Sequence, residues 1–109
     1  MSDCLFCKII AGDIPAKRLY EDEHIVVIPD KYPKADIHLL VLPRLHIPSL
    51  REITAEHDTL MAHIMRRLPR IAAENGLTDG FRTVVNTGTG GGQEIFHIHF
   101  HIMGKYPAN

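Results

Sequence analysis

The chain predicts an α+β fold whose sheet is largely antiparallel. Three observations lead there. One long window carries apolar residues at the helical period, and one stretch near the C-terminus alternates strictly at period two. The elements also follow in the order helix, hairpin, strand, helix and two strands, which makes one long helix, one short helix and five strands. At 109 residues the whole chain, 1–109, reads as a single domain, long enough for a real core and too short for a second.

Taken in order, Cys4 to Ile10 is a short apolar turn that begins a helix, ended by Gly12 and Pro15. Lys17 to Asp30 reads as a hairpin with Leu19-Tyr20 in one strand, Asp22-Glu23 at the turn and Ile25 to Ile28 in the next; Pro29 and Pro33 close it. His38 to Leu42 is apolar on both faces, which places it centrally in the sheet, and Pro43 ends it. From Thr54 to Asn75 apolar residues recur at 60, 61, 64, 68, 71 and 72, with Thr54 capping the start and Gly76 the end. Pro69 lies inside this window, so a kink near Met65 is expected. Phe81 to Asn86 forms the next strand. Gly88 to Gln93 follows as a flexible loop, and it delivers the chain into His97-Ile98-His99-Phe100-His101-Ile102-Met103.

Composition removes several function classes. Formal charge is -1 with acids and bases interspersed, so the footprint of a nucleic-acid binder is missing; Arg66, Arg67 and Arg70 read as a solvated helix face. No basic n-region or apolar leader precedes Cys4, and no apolar run reaches membrane-spanning length. A soluble, cytoplasmic protein without membrane contact is the expectation. There the two Cys, three positions apart, stay thiols.

The alternating segment is the most informative. A half-buried strand would project all three imidazoles from one face and send Ile98, Phe100 and Ile102 to the core. Same-face neighbours lie roughly 7 Å apart, close enough to act on one small reacting group. The outer pair are about 13 Å apart, too far for one metal to take all three from a regular strand. A neutral imidazole attacks phosphorus well when one nitrogen is protonated and anchored and the other lone pair is free. His99, in the middle, is best placed for this, with one neighbour to assist proton transfer to a leaving group and the other to hold geometry. The plainer alternative is a surface strand that happens to be His-rich.

Two further motifs stay open. The loop Gly88-Thr89-Gly90-Gly91-Gly92 lacks the spacing and Lys of a P-loop; it is either a phosphate approach through backbone N–H groups or a plain connection. Cys4-x-x-Cys7 is either a pair of buried thiols or half of a zinc site, for which His46 and His97 would complete a closed Cys2His2 shell. A thioredoxin-like dithiol would follow a strand in a βαβ unit, and this pair does not.

The triad, preceded by Gly92-Gln93 and by Asn86, resembles the histidine triad superfamily. The likeness extends to Leu5-Phe6-Cys7-Lys8-Ile9-Ile10, Ile14-Pro15-Ala16, Tyr20-Glu21-Asp22 and His38 to Pro43, and looks closest to the branch of purine nucleoside phosphoramidases. That resemblance implies a homodimer whose two sheets join into one, each protomer holding a purine nucleotide site. It implies that His99 attacks the α-phosphorus of a nucleoside 5'-phosphoramidate or acyl-nucleotide, and that water releases a monophosphate such as AMP from the nucleotidyl-histidine. Carried over, the His97 carbonyl would hold the His99 ring, and His101 would contact phosphate and leaving group. Asn86, Gly92 and Gln93 would surround the phosphate, and His38 would complete the imidazole cluster. Phe6, Ile9 and Ile28 would line the base pocket and Asp30 would bind the ribose, though by themselves these residues read as ordinary core and an ordinary turn acid. Bacterial relatives of this type carry a structural zinc, here implied on Cys4, Cys7, His46 and His97; no organic cofactor is implied.

A dinucleoside polyphosphate hydrolase and a non-catalytic nucleotide-binding regulatory module are the alternative functions. Three departures bear on specificity. Glu94 follows the Gln where a small hydroxyl is common, Lys31 and Tyr32 stand where an apolar and a small residue are common, and the tail Gly104 to Asn109 lacks a Trp-Pro-Pro ending.

Overall fold

The computed structural model describes residues 3–105. Tyr106 to Asn109, most of the tail compared above, lie outside the described residues. Helix α1 spans Leu5–Ala11, and its capping residue is Cys4, whose Sγ accepts the Cys7 N–H at 3.3 Å. Gly12 ends it at φ 88°, a left-handed turn that a residue without Cβ adopts freely.

Strands β1 (Tyr20–Glu21), β2 (Ile25–Pro29), β3 (Ile37–Pro43), β4 (Arg82–Val84) and β5 (Phe100–Gly104) form one five-stranded antiparallel sheet in the order β1-β2-β3-β5-β4. The apolar β3 is central, as its two-faced hydrophobicity predicts. Its residues divide by parity. Leu39 and Val41, with Ile25 and Val27 of β2 and Phe100 and Ile102 of β5, pack in one cluster with Ile64, Leu68 and Ile71 of helix α2 (Asp58–Glu74). Leu40 and Leu42, with Val26 and Ile28, pack against Phe6 and Ile9 of α1. A helix on each face keeps both sides of the inner strands dry. Among the described residues no helix is long and apolar enough to cross a membrane.

Three boundaries differ from expectation. Thr54 caps a 3-10 turn, Ala55–His57, with its hydroxyl on the Glu56 N–H, and α2 begins only at Asp58. The helix runs through Pro69, which is exposed, as is Met65, whose carbonyl loses its N–H partner there. The strand expected over 81–86 is regular only over Arg82–Val84.

The third difference matters most. The triple-His segment is not a continuous strand: pairing with β3 stops at Val41↔Phe100, so His97 and His99 precede β5 and only His101 lies in it. The next N–H that β3 would offer belongs to Pro43, which has none. Instead the Pro43 carbonyl accepts the His97 Nε2–H at 2.8 Å, and the Ile98 N–H turns to the Ile47 carbonyl at 2.7 Å. The alternation survives this break. Ile98, Phe100 and Ile102 all enter the α2 core, as expected. The imidazole side is deeper than expected at two of its three rings: His97 is 0% and His99 9% exposed, and His101 is half-buried.

Candidate active site

Each triad ring has its own hydrogen-bond partner, and the partners set the tautomers. The His99 Nδ1–H is donated to the His97 carbonyl at 2.7 Å, which leaves the Nε2 lone pair outward. The ring packs edge-on against Phe6, 4.9 Å between centroids. Burial lowers its pKa from the ordinary value, only partly opposed by that carbonyl and by Asp30, so the ring is neutral near pH 7.

His101 is reached through His38. The Lys34 backbone N–H donates to His38 Nδ1 at 3.0 Å, so the His38 proton sits on Nε2. That Nε2 is 2.8 Å from His101 Nδ1 and 3.2 Å from Asp30 Oδ2. His101 Nδ1 therefore accepts, and its own proton is on Nε2. Burial and the neighbouring His99 and His38 push the His101 pKa to about 4, against the pull of Asp30. His38 is likewise lowered by burial, so its contact with Asp30 joins a neutral ring to a carboxylate. The three ligand atoms of Asp30, His38 and His101 lie within 4.8 Å of one another, but a protonated His38 Nε2 offers a metal no lone pair. The cluster is a hydrogen-bond relay that ends in the His101 Nε2–H, a donor.

His97 faces the other way. With Nε2–H on Pro43, its Nδ1 lone pair looks at His46 Nδ1 (3.1 Å), Cys4 Sγ (3.4 Å) and Cys7 Sγ (3.5 Å), and Cys7 Sγ is 3.3 Å from His46 Nδ1. Zn–N bonds of about 2.0 Å and Zn–S bonds of about 2.3 Å at tetrahedral angles require donor separations of roughly 3.3–3.8 Å, so this shell is close to the size zinc needs. All four donors lie within 4.8 Å of one another, and together they form the set that can hold a metal. Burial holds the His97 ring neutral, its pKa lowered to about 4. Burial also raises the pKa of the Cys4 thiol.

The remaining expected site residues divide. Phe6, Ile9 and Ile28 share one apolar cluster beside His99. Asp30 borders the relay, with its other oxygen on the Tyr32 N–H at 2.8 Å. Asn86 donates one N–H to the Gly91 carbonyl at 2.8 Å and lines a cleft of about 220 Å³ that also takes in Lys34, His38, Arg82 and His101. Gly92 closes a 3-10 turn at φ 83°, where a Cβ would strain the loop. Gln93 is buried and committed to that loop: its oxygen accepts the Gly88 N–H at 2.9 Å, and its NH2 donates to the Pro48 and Ile95 carbonyls at 2.7 and 3.0 Å. Glu94 is exposed, and the Lys31 ammonium lies 5.8 Å from the centre of the exposed Tyr32 ring. The backbone of Lys34, the Pro43 carbonyl and the Arg82 side chain were not foreseen; backbone donors and acceptors leave no trace in residue identity.

A family model described as "Scavenger mRNA decapping enzyme C-term binding" matches residues 3–108. Protein HitA of Neisseria gonorrhoeae is 51% identical over 104 residues, covering 95% of this chain and 97% of its own. The chain belongs to the histidine triad family. Within that family the purine nucleoside phosphoramidase of Escherichia coli K12 is 35% identical over 106 residues, 96% of this chain and 89% of the relative. A histidine triad hydrolase of Legionella pneumophila superposes with a TM-score of 0.92 at 40% identity, covering 96% and 95% of the two chains. A zinc-bound histidine triad protein of Mycobacterium smegmatis gives 0.79 at 40% identity, covering 93% and 73%.

Proposed function

We propose that this histidine triad protein is a hydrolase that cleaves nucleoside 5'-phosphoramidates or acyl-nucleotides at the α-phosphate through a covalent nucleotidyl-His99. The observation that carries the reading is the anchored, neutral His99, whose free Nε2 sits between an apolar wall and a second imidazole. Likeness to a relative named as a purine nucleoside phosphoramidase supports the substrate class.

In this reading the His99 Nε2 lone pair forms a bond to phosphorus while the P–N or P–O bond to the leaving group breaks; a departing amine takes a proton from water, and a departing carboxylate leaves as the anion. The nucleotidyl ring becomes cationic, and the His97 carbonyl, already on Nδ1–H, stabilises that charge. Water then attacks phosphorus, the P–N bond to His99 breaks, and a nucleoside monophosphate and two protons leave. The His101 Nε2–H donates to a phosphoryl oxygen and stabilises the charge that builds there. A neutral ring with a pKa near 4 is a poor proton source, so this donor part replaces the proton transfer expected of a neighbouring imidazole. Asn86 and the Gly88–Gly92 backbone border the phosphate, with Gln93 holding the loop in shape. Phe6, Ile9 and Ile28 receive the base, and Asp30 the ribose hydroxyls.

Cys4, Cys7, His46 and His97 would hold zinc, and a Zn-bound relative supports that choice. Four protein donors leave no open position, so bound zinc would supply rigidity rather than Lewis acidity. The reading includes a homodimer, for which β4 offers a sheet edge, and a reducing cytoplasmic setting that keeps Cys4 and Cys7 from forming disulfides. It requires no organic cofactor.

The test is steady-state hydrolysis of adenosine 5'-phosphoramidate beside diadenosine polyphosphate by wild type and His99→Ala. Phosphoramidate turnover that disappears in the variant while AMP still binds is the expected result. Binding without turnover of either compound in the wild type would make the protein a nucleotide-binding module instead.

A further inference from the structure

Cys4 and Cys7 are the two cysteines of the chain, and the first turn of α1 brings them together. The Lys8 N–H on the Cys4 carbonyl at 3.1 Å closes that turn, and the Cys7 N–H donates to Cys4 Sγ at 3.3 Å. Residues three apart on such a turn have Cα atoms about 5 Å apart, inside the range of roughly 4.4–6.8 Å that a disulfide spans. The same two sulfurs converge with His46 and His97, all four donors lying within 4.8 Å of one another. The pair can therefore hold zinc or be joined to each other, but not both, because a sulfur in a disulfide is no longer a thiolate ligand.

The pair is within reach of a small reagent. Both cysteines are half-buried, and His46, whose Nδ1 is 3.3 Å from Cys7 Sγ, is exposed. Cys4 Sγ is the inner sulfur, 3.4 Å from Nδ1 of the fully buried His97. Helix α1 packs on β2 and β3, and β5 separates β3 from β4, so this opening is away from the edge given above to the homodimer. Phe6 stands between the two cysteines, and its ring packs edge-on against His97 at 5.9 Å and His99 at 4.9 Å. A change in this turn thus reaches His99 by two routes, the Phe6 ring and the His97 residue whose ring faces the sulfurs and whose carbonyl holds His99.

We propose that Cys4 and Cys7 form a peroxide-sensitive thiol switch, a reversible disulfide whose closure expels zinc and slows the chemistry at His99. The proposal rests on the zinc reading and adds a means of undoing the site. Cys7 Sγ, the outer sulfur, attacks one oxygen of hydrogen peroxide; the S–O bond forms, the O–O bond breaks, and the departing hydroxide takes a proton. Cys4 Sγ then attacks Cys7 Sγ, the S–S bond forms, the S–O bond breaks, and a second hydroxide takes a proton. Two electrons pass from the sulfurs to the peroxide, two protons are consumed and two waters form. Zinc keeps its charge but retains only His46 and His97, half of the four donors that a structural site needs, and dissociates. A reducing thiol reopens the bridge by exchange, and the shell reforms around zinc.

The test treats reduced, zinc-loaded wild type and Cys7→His with hydrogen peroxide. Cys7→His keeps a nitrogen donor for the metal and has no partner for Cys4. Zinc release is read with a chromogenic chelator, free thiols by titration, the bridge by mass spectrometry of the Cys4–Cys7 peptide, and kcat with adenosine 5'-phosphoramidate. Wild type should release one zinc for every two thiols lost, the peptide should lose two hydrogens, and kcat should fall about tenfold. Dithiothreitol with zinc should restore all of these, which it does not do for methionine sulfoxide. Cys7→His should hold its zinc through the same treatment. Zinc retained by wild type after its thiols are oxidised, oxygen added to the sulfurs without a bridge, a bridge between two chains, or unchanged kcat in the bridged protein would each overturn the switch. Reduced wild type without stoichiometric zinc would overturn the zinc reading beneath it, and the switch with it. Zinc-loaded wild type that turns over no phosphoramidate would overturn the phosphoramidase reading, while zinc and thiols still decide whether the bridge expels the metal.

Discussion

The carbonyl of His97 holds the His99 ring at 2.7 Å, and the ring of that same His97 stands 3.1–3.5 Å from the donor atoms of Cys4, Cys7 and His46. One residue therefore serves the metal set with its side chain and His99, the nucleophile proposed above, with its backbone. Because the segment 97–99 precedes β5 and has no ladder bonds of its own, its position depends on these contacts. Cys7→Ser should weaken zinc binding roughly tenfold or more. It should also lower kcat more than it raises KM, since the His99 ring proposed as nucleophile rests directly on the His97 carbonyl. Metal content by mass spectrometry and the two kinetic constants check this; full kcat in a metal-free variant would separate the two sites.

Asp22 ties the β1–β2 turn to α2. Its Oδ1 accepts the His24 and Ile25 N–H groups at 2.8 and 2.9 Å, and its Oδ2 takes the Tyr20 hydroxyl and His63 Nε2, each at 2.8 Å. Burial works to raise the carboxyl pKa, but these donors outweigh it and hold the group well below the usual carboxylate range. Asp22→Ala should cost about 1–3 kcal/mol in urea unfolding, because four donors lose the half-buried charged acceptor they share. Asp22→Asn, which keeps an acceptor for the turn, should recover part of that loss.

Hydropathy alone was enough to place β2, β3 and the α2 core, because burial on two faces or one stripe is written directly in residue type. The inward set Ile98, Phe100 and Ile102 was legible for the same reason. What hid was the break before Phe100, since it depends on Pro43 standing opposite in the neighbouring strand, a pairing that no local pattern records. The metal set was legible as four residues because ligand chemistry is specific to Cys and His. The tautomer of His101 was not. It is fixed by the Lys34 backbone, and every residue other than Pro would supply that N–H. Gln93 carries a second contact that residue type does not record: the resemblance sets its amide near the phosphate, and in the fold its NH2 donates to the Pro48 and Ile95 carbonyls.

Gly104, the last residue of β5, makes room for a side chain rather than for a turn. A Cβ built there would run into the Leu77 side chain, which is buried in the α2 core. Leu77 is itself packed in that cluster, so Gly104→Ala should destabilise by about 1–3 kcal/mol through overpacking, despite the better strand propensity of Ala. Combining it with Leu77→Ala should relieve the clash. A double variant no less stable than the Leu77→Ala single would show that the cost arises from this contact.

The buried imidazoles should make stability depend on mild acid. His101 has a pKa of about 4 in the fold because burial and the neighbouring His99 and His38 disfavour its charge, whereas an unfolded imidazole titrates near 6.5. Between those values the unfolded chain binds a proton that the folded chain refuses. The unfolding free energy should therefore be level above about pH 6.5 and fall as the pH drops toward 4, the sense opposite to that of a His stabilised by a carboxylate. Asp22, held low in the fold, loses its stabilising contribution only from about pH 5 downward, so the span from pH 7 to 5 reads the imidazoles. Urea midpoints at pH 7, 6 and 5, read at saturating zinc, give the slope for wild type and His101→Gln. The variant should show a slope smaller by up to one proton, because one of the sites that takes up a proton on unfolding is gone. Identical slopes in the two proteins would mean that His101 is already charged in the fold, and its part as a neutral donor to phosphate would have to be abandoned.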